Sequence, residues 1–318
     1  MVQVPKDDQV PEDDGAVAEL DTAEEGNEVV YEGPVAACLL CSTSSPHLRD
    51  VDGVAYYECA GCDFIFADPE LINRIDQGLA SREYDNDYWR AELASARQRS
   101  FGSSLARVAE ALLYCTVPVH RFIDIGTGPG YLLDAVSRHL PARADVFYGV
   151  EKYPPLPEYR TQNANYICAD LMDVGMKFEC GVCVEVLEHL TPSMARGLAS
   201  AMAMVSVPGS LYLFNTGLTD YVRQEDPGYL DPFKRGHVTC WSVAAARRIF
   251  EPEGFVVRAL AGKSWAFVVE VPGAAERMEI PLGDRIWSAE PGNVEIMSDP
   301  TMGDVMYILG RESARAYQ

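Results

Sequence analysis

The stretch Arg121-Phe-Ile-Asp-Ile125, Gly126-Thr-Gly128-Pro-Gly130, Tyr131-Leu-Leu-Asp-Ala-Val-Ser-Arg-His-Leu140 decides the fold. It opens with a short apolar strand, passes through three glycines at alternate positions and continues with a helical pattern. Strand, glycine turn and helix form the nucleotide-binding first unit of a doubly wound α/β sheet. The glycines let the backbone approach a ligand closely, and Pro129 is tolerated in a first helical turn. A dinucleotide loop reads G-x-G-x-x-G/A and seats a pyrophosphate on the helix N-terminus. Here Tyr131 takes the sixth position and the third glycine comes one residue early. Asp124, two residues before the first glycine, would repel a pyrophosphate and suits a ligand carrying an ammonium group.

Upstream, a helical pattern fills much of 91–114. Before it stand Cys38-Leu-Leu-Cys41 and Cys59-Ala-Gly-Cys62, two C-x2-C pairs separated by seventeen residues. That spacing is the zinc pattern. Four thiolates on two tight knuckles close a tetrahedral structural site with no open ligand position. Val54-Ala-Tyr-Tyr-Glu58 reads as a strand between the knuckles, and His47 as a surface residue rather than a ligand. Cys180-Gly-Val-Cys183 is also C-x2-C, but it lies in Phe178-Glu-Cys-Gly-Val-Cys-Val184, which reads as a buried strand. Residues i and i+3 of a strand face opposite ways, so these two, with Cys115, Cys168 and Cys240, are expected to be small core residues.

The chain has 318 residues, 48% of them hydrophobic and 23% charged, the range of a globular protein of two domains or one large and one small. The formal net charge is −22, and residues 1–34 hold eleven acids against the single base Lys6. That segment cannot bury enough surface to offset its ordering entropy and is expected to be a disordered tail, solubilising or partner-binding. The remainder is still acidic, which argues against nucleic-acid and anionic-membrane partners. No run of about 18 apolar residues suggests a membrane span, and the first residues lack the features of a signal peptide. A cytoplasmic location is expected.

Several motifs carry a family resemblance. Asp124-Ile-Gly-Thr-Gly-Pro-Gly130 resembles the first motif of class I S-adenosylmethionine-dependent methyltransferases. Val146-Phe-Tyr-Gly-Val-Glu151 resembles the second strand with its terminal acid, and Tyr166-Ile-Cys-Ala-Asp-Leu171 the third. Val184-Glu-Val-Leu-Glu-His-Leu190 is similar to the segment after the fourth strand. Ser206-Val-Pro-Gly-Ser-Leu-Tyr-Leu-Phe-Asn215 is similar to the glycine turn and fifth strand, and Arg235-Gly-His-Val-Thr-Cys-Trp-Ser242 to the approach to the sixth. Cys59-Ala-Gly-Cys-Asp-Phe-Ile-Phe-Ala-Asp-Pro69 followed by Tyr84-Asp-Asn-Asp-Tyr-Trp89 resembles a bacterial subgroup in which a zinc ribbon and a tyrosine-rich helical lid precede this domain. Such proteins are often linked to sugar, polysaccharide or secondary-metabolite modification.

The resemblance implies a Rossmann-like class I methyltransferase domain, with a seven-stranded, mostly parallel sheet, behind a zinc ribbon and a helical lid. The expected organisation is tail 1–34, ribbon 35–70, lid 71–117 and methyltransferase domain 118–318. Three prolines after Glu151 forbid a regular helix there. About forty residues, 264–304, are expected to be an insertion capping the substrate side, with Met306-Tyr-Ile-Leu-Gly310 as the seventh strand.

By the same resemblance S-adenosylmethionine is the co-substrate, and Zn2+ is structural on Cys38, Cys41, Cys59 and Cys62. The cofactor residues are Asp124, Gly126, Gly128, Gly130, Glu151 for the ribose hydroxyls, Asp170 for the adenine amino group, Leu171, Glu185 and Tyr88. Tyr84, Tyr88 and Trp89 would close over the methionine part by cation–π contact or pack as a lid. Glu185 and Glu188 bracket the next helix start, where capping its dipole is the alternative role. Methyl transfer from a sulfonium needs alignment and a dry pocket, and a hydroxyl acceptor also needs a base. His189 and His237 are the candidates, with helix-start packing and a loop hydrogen bond as their alternatives. The acceptor is expected to be a sugar, nucleotide sugar or glycan. An rRNA methyltransferase, a nicotinamide oxidoreductase and a non-catalytic cofactor-binding protein are the competing readings.

Overall fold

The computed structural model describes residues 33–79, 86–274 and 279–314. The acidic tail lies outside them up to residue 32, as does Tyr84, and the side chains of Tyr88 and Trp89 are likewise not described.

Four antiparallel strands open the chain: β1 (Val35–Ala37), β2 (Ser44–Val51), β3 (Val54–Cys59) and β4 (Phe64–Ala67). Asp52 and Gly53 turn β2 into β3 with φ of 50° and 80°, the paired positive angles of a two-residue hairpin. Helix α1 (Pro69–Asp76) begins where the Asp68 carboxylate accepts from the N–H of Glu70 at 2.7 Å, with Pro69 at its first position. Helices α2 (Asn86–Ser100) and α3 (Ser103–Tyr114) follow. Leu105, Ala106, Val108, Ala109, Ala111 and Leu112 of α3 are all fully buried. Arg107 and Glu110 are buried with them and pair at 2.7 Å, so the second half of the expected 71–117 lid is a core helix.

The large sheet contains β5 (Phe122–Ile125), β6 (Phe147–Glu151), β7 (Tyr166–Cys168), β8 (Phe178–Val184), β9 (Ser206–Asn215), β11 (Val256–Ala259) and β12 (Ala266–Glu270). Their order is β11-β12-β9-β8-β5-β6-β7. β12 runs antiparallel to both neighbours and the others run parallel. This is the strand order and direction that the resemblance implies. Helices α4 (Tyr131–His139), α5 (Pro192–Val205), α6 (Thr219–Gln224) and α7 (Val243–Phe250) lie in its connections. Between β6 and β7 only a 3-10 turn, Pro157–Tyr159, forms among the prolines. One hydrophobic layer covers each face, and Cys180 and Cys183 belong to opposite layers. Cys168 departs from expectation: it is exposed, at the end of the edge strand β7.

The expected seventh strand and insertion are corrected. The hairpin partner of β11 is β12, paired from Val256↔Glu270 to Ala259↔Phe267, so no long insertion separates them. Residues 306–310 lie in a helix, α10 (Gly303–Ala314), after the short helices α8 (Leu282–Arg285) and α9 (Pro291–Ile296). A short apolar run reads equally as strand or as buried helix face, and here the helix period wins. This extension packs Ile296, Met302, Val305 and Leu309 into the layer that holds α3. Asn293 Nδ2 donates to the carbonyls of Leu112, Cys115 and Val117, and its Oδ1 accepts from Val119 N at 2.8 Å. Arg285 pairs with Glu270 at 2.8 Å, both side chains buried. All these partners lie at the edge where the parallel strands begin, away from the glycine loop. The anchors of Asn293 and Arg285 therefore lie away from the glycine loop.

The ribbon is joined to the large domain by a strand. β10 (Thr239–Cys240), from the connection after β9, pairs antiparallel with β4 and completes a five-stranded sheet. Ser242 Oγ donates to the Cys62 carbonyl at 3.0 Å, and Phe64 packs on Trp241 with ring centres 4.7 Å apart.

Candidate functional site

The two cysteine knuckles come together. Cys38 and Cys62 sulfurs lie 3.5 Å apart, Cys41 and Cys59 3.4 Å, and Cys41 and Cys62 3.6 Å. Tetrahedral zinc with bonds of about 2.3 Å spaces its sulfurs about 3.8 Å apart, so the four positions fit that ion. The hydrogen bond with Cys62, aided by backbone N–H groups, holds the Cys38 thiol down at about 5. His47 pairs with Asp50 at 2.9 Å and stands outside this cluster.

The second site is the C-terminal edge of β5, β6 and β8, where the strand order reverses and doubly wound sheets bind ligands. The loop after β5 carries Gly126, Gly128 and Gly130 with φ of 71°, 58° and 80°. A Cβ at Gly126 would stand 2.5 Å from Val186, and one at Gly130 2.4 Å from Thr161. Gly130 is the left-handed cap of α4, so Pro129 precedes the helix rather than entering it. Glu151, at the end of β6, accepts from Gly128 N and Tyr153 N, both at 2.8 Å. Each carboxylate oxygen has a second acceptor position. Burial raises the Glu151 carboxyl above its ordinary value. Asp124 lies beneath the loop, accepts from Thr127 Oγ1 at 2.6 Å, and is pushed by burial up to about 7. Asp170 follows β7. It pairs with Lys152 at 2.6 Å and accepts from Met172 N, and Lys152 holds its carboxyl below the usual range. Leu171 is buried beside it.

The third cluster follows β8. Glu185 has φ of 54°, a left-handed angle unusual for a non-glycine and typical of functional sites. Its Oε1 accepts from Asn215 Nδ2 at 3.0 Å, and burial and neighbouring Glu188 push its carboxyl up to about 8. Glu188 is fully buried and accepts from Tyr229 and Thr216 hydroxyls, both at 2.9 Å. It does not cap α5. Thr191 does that, accepting from Met194 N at 3.2 Å. His189 and His237 meet here with ring centres 4.9 Å apart. His189 Nδ1 contacts the Gly236 carbonyl at 3.1 Å, and His237 Nδ1 the Tyr229 carbonyl at 2.7 Å. A carbonyl only accepts, so each Nδ1 carries a proton.

The fold therefore gathers Asp124, the glycines, Glu151, Asp170 and Leu171 around one strand edge, and Glu185, His189 and His237 in the adjoining cluster. Of Tyr88 the structure describes only its place in α2. Lys152, Thr127, Thr216 and Tyr229 were not singled out from the sequence. Only Thr127 carried a signal, its position inside the glycine loop.

No curated protein matches the sequence. A protein of Nostoc punctiforme PCC 73102, assigned to the O-methyltransferases, aligns at TM-score 0.47 and 15% identity over 63% of this chain and 67% of its own. DesVI of Streptomyces venezuelae aligns at 0.44 and 15% over 60% of this chain and 100% of its own. CalS10, an amino pentose methyltransferase from Micromonospora echinaspora solved with S-adenosylmethionine, aligns at 0.42 and 16% over 60% and 99%. These likenesses concern the fold alone. The sequence pattern described as "Methyltransferase domain" matches residues 82–260, more than half of the chain. With that match and the strand order in place, the chain belongs to the methyltransferase-domain family.

Proposed function

We propose that this protein transfers a methyl group from S-adenosylmethionine to a small-molecule acceptor, a sugar, nucleotide sugar or glycan. The observation that carries the reading is Glu151. Its carboxylate is held by the N–H of Gly128 at the end of β6, facing a loop whose left-handed glycines leave room for a ligand. That pairing suits a ribose, since each oxygen keeps an acceptor position for a hydroxyl. Asp170, paired with Lys152, would meet the adenine amino group. Asp124 fixes the loop through Thr127. The sulfonium supplies an electrophilic methyl group when the cofactor is bound. The chain's own residues would align the acceptor and take its proton, a task for His189 and His237.

The four-cysteine cluster would hold one structural zinc ion. All nine cysteines are free, which fits a reducing compartment such as the cytoplasm. The acidic charge favours a small acceptor over a nucleic acid. No helix among the described residues is long and apolar enough to cross a membrane.

Calorimetric titration with S-adenosylmethionine and S-adenosylhomocysteine, with NADH as control, tests the cofactor. One-to-one binding of both adenosyl ligands, lost in Glu151→Ala, is expected. Binding of NADH alone would replace this reading with an oxidoreductase.

A further inference from the structure

We infer that Thr161 and Tyr166 are positioning residues for the adenosyl cofactor, bracing the main chain of Gly128-Pro129-Gly130 in one geometry against Glu151. The inference rests on the cofactor reading proposed above for its ligand, and on this chain's own contacts for the brace.

Parallel strands are usually joined through a helix, whose backbone groups bond among themselves. The connection from β6 to β7, residues 152–165, carries Pro154, Pro155 and Pro157 and forms only the 3-10 turn Pro157–Tyr159. An extended connection leaves its N–H groups for other partners, and its prolines stiffen it by fixing φ. At its start Tyr153 N–H donates to Glu151 Oε1 at 2.8 Å. Toward its end Thr161 N–H donates to the Pro129 carbonyl at 2.8 Å. The Thr161 hydroxyl donates to Asp134 in the first turn of α4. Tyr166, the first residue of β7, donates its hydroxyl to the Gly128 carbonyl at 2.6 Å. Burial pushes this phenol above its ordinary value, so it stays a donor. Gly128 is therefore held on both sides, by its N–H on Glu151 Oε2 at 2.8 Å and by its carbonyl on Tyr166. Gly130 is enclosed by the same two residues: a Cβ there would stand 2.4 Å from the Thr161 methyl and 2.7 Å from the Tyr166 ring. Glycines are the freest points of a backbone. A ligand binds more tightly to a loop whose ordering is already done, and these two side chains do that ordering where Glu151 meets the loop.

The test is calorimetric titration of the full chain with S-adenosylhomocysteine, paired with hydrogen exchange of the glycine-loop amides. Tyr166→Phe keeps the ring and removes the donor. It should bind about tenfold more weakly, and its amides in 126–130 should exchange faster while those of β8 and β9 keep the wild-type rate. Thr161→Val keeps the shape, loses the hydroxyl and should shift both readouts in the same direction. Thr161→Ser restores the hydroxyl and should restore the affinity. Wild-type affinity and wild-type loop exchange in both Tyr166→Phe and Thr161→Val overturn the inference. Exchange that quickens evenly across the sheet, with a lower melting temperature, also overturns it, because the two side chains then serve general stability. If the wild-type chain binds no adenosyl ligand, the cofactor reading falls and exchange alone decides the brace. Selective quickening at 126–130 upholds it, and unchanged exchange there removes it.

Discussion

The hydroxyl of Tyr56, in ribbon strand β3, donates to the main-chain carbonyl of His237 at 2.7 Å. Both residues are buried. Two residues beyond His237 the chain pairs with β4 as β10, so the ribbon holds the loop that carries this histidine. Tyr56→Phe leaves that carbonyl without the phenol and should cost about 1–3 kcal/mol. Thermal unfolding should register the loss. Turnover should fall more than S-adenosylmethionine affinity, because the strand edge that meets the cofactor is untouched. Equal losses in both would contradict this division.

Ribbon metal should be needed for the β4–β10 pairing as well as for the ribbon. Four sulfurs about as close as zinc would set them tie together the two knuckles of a short sheet whose Tyr57, Phe64 and Phe66 pack into the core of the large domain, and structural zinc contributes roughly 10–16 kcal/mol of apparent binding energy in small domains. Cys41→Ser, or a strong chelator, should release one zinc per chain and lower the melting temperature. Methyl transfer should be lost with it. Unchanged melting after complete zinc release would show that the ribbon stands without the ion.

Two glycines with similar backbone angles should differ sharply on substitution. Gly126→Ala forces a Cβ to 2.5 Å from Val186 at φ of 71°, whereas Gly175→Ala, at φ of 66°, meets nothing within 4 Å. The second should cost only the left-handed penalty of about 1–2 kcal/mol, while the first adds overpacking of about 1–3 kcal/mol and weakens cofactor binding. Denaturant midpoints measured side by side would decide the ordering.

Asp124 sets a pH dependence. Its carboxyl is raised from 3.8 to about 7 by burial. Between those values the folded chain holds a proton that the unfolded chain has lost, so stability falls as pH rises through the window and levels off above it. The effect is on the order of a few kcal/mol. Asp124→Asn should reduce that slope for the ligand-free protein and leave the part that buried Glu151 and Glu185 contribute with the same sign, a comparison that urea titrations at several pH values would make directly.

Arg285 and Glu270 form a buried pair at the edge away from the cofactor loop. Arg285→Ala leaves a carboxylate uncompensated except by Arg258 and should cost about 3–5 kcal/mol. Activity per folded molecule should be nearly unchanged at low temperature. A large drop in specific activity would mean that the C-terminal helices reach the site after all.

Much of this protein is written locally. The strand, glycine turn and helix of 121–140, the paired cysteine spacing and the opposite facings of Cys180 and Cys183 each depend on neighbours within a few residues. Backbone angles, knuckle geometry and strand alternation are short-range properties, and the sequence alone determined them. The motif resemblance also marked Asp124, Glu151 and Asp170, which lie in the last residues of a strand or just after one. The run 306–310 was misread because four apolar residues have no period of their own, and burial against α3 selects the helix. Helix α3 was read as lid because nothing nearby declares that all its faces are covered. Tertiary structure alone decided the pairing of β10 with the ribbon, the anchoring of Asn293 beneath the sheet, and the meeting of Glu188 with Thr216, Tyr229 and two histidines. Apart from the neighbours Glu188 and His189, those contacts join residues 28 to 181 positions apart, and hydrogen bonds and packing between such distant residues become visible only when the chain has closed on itself.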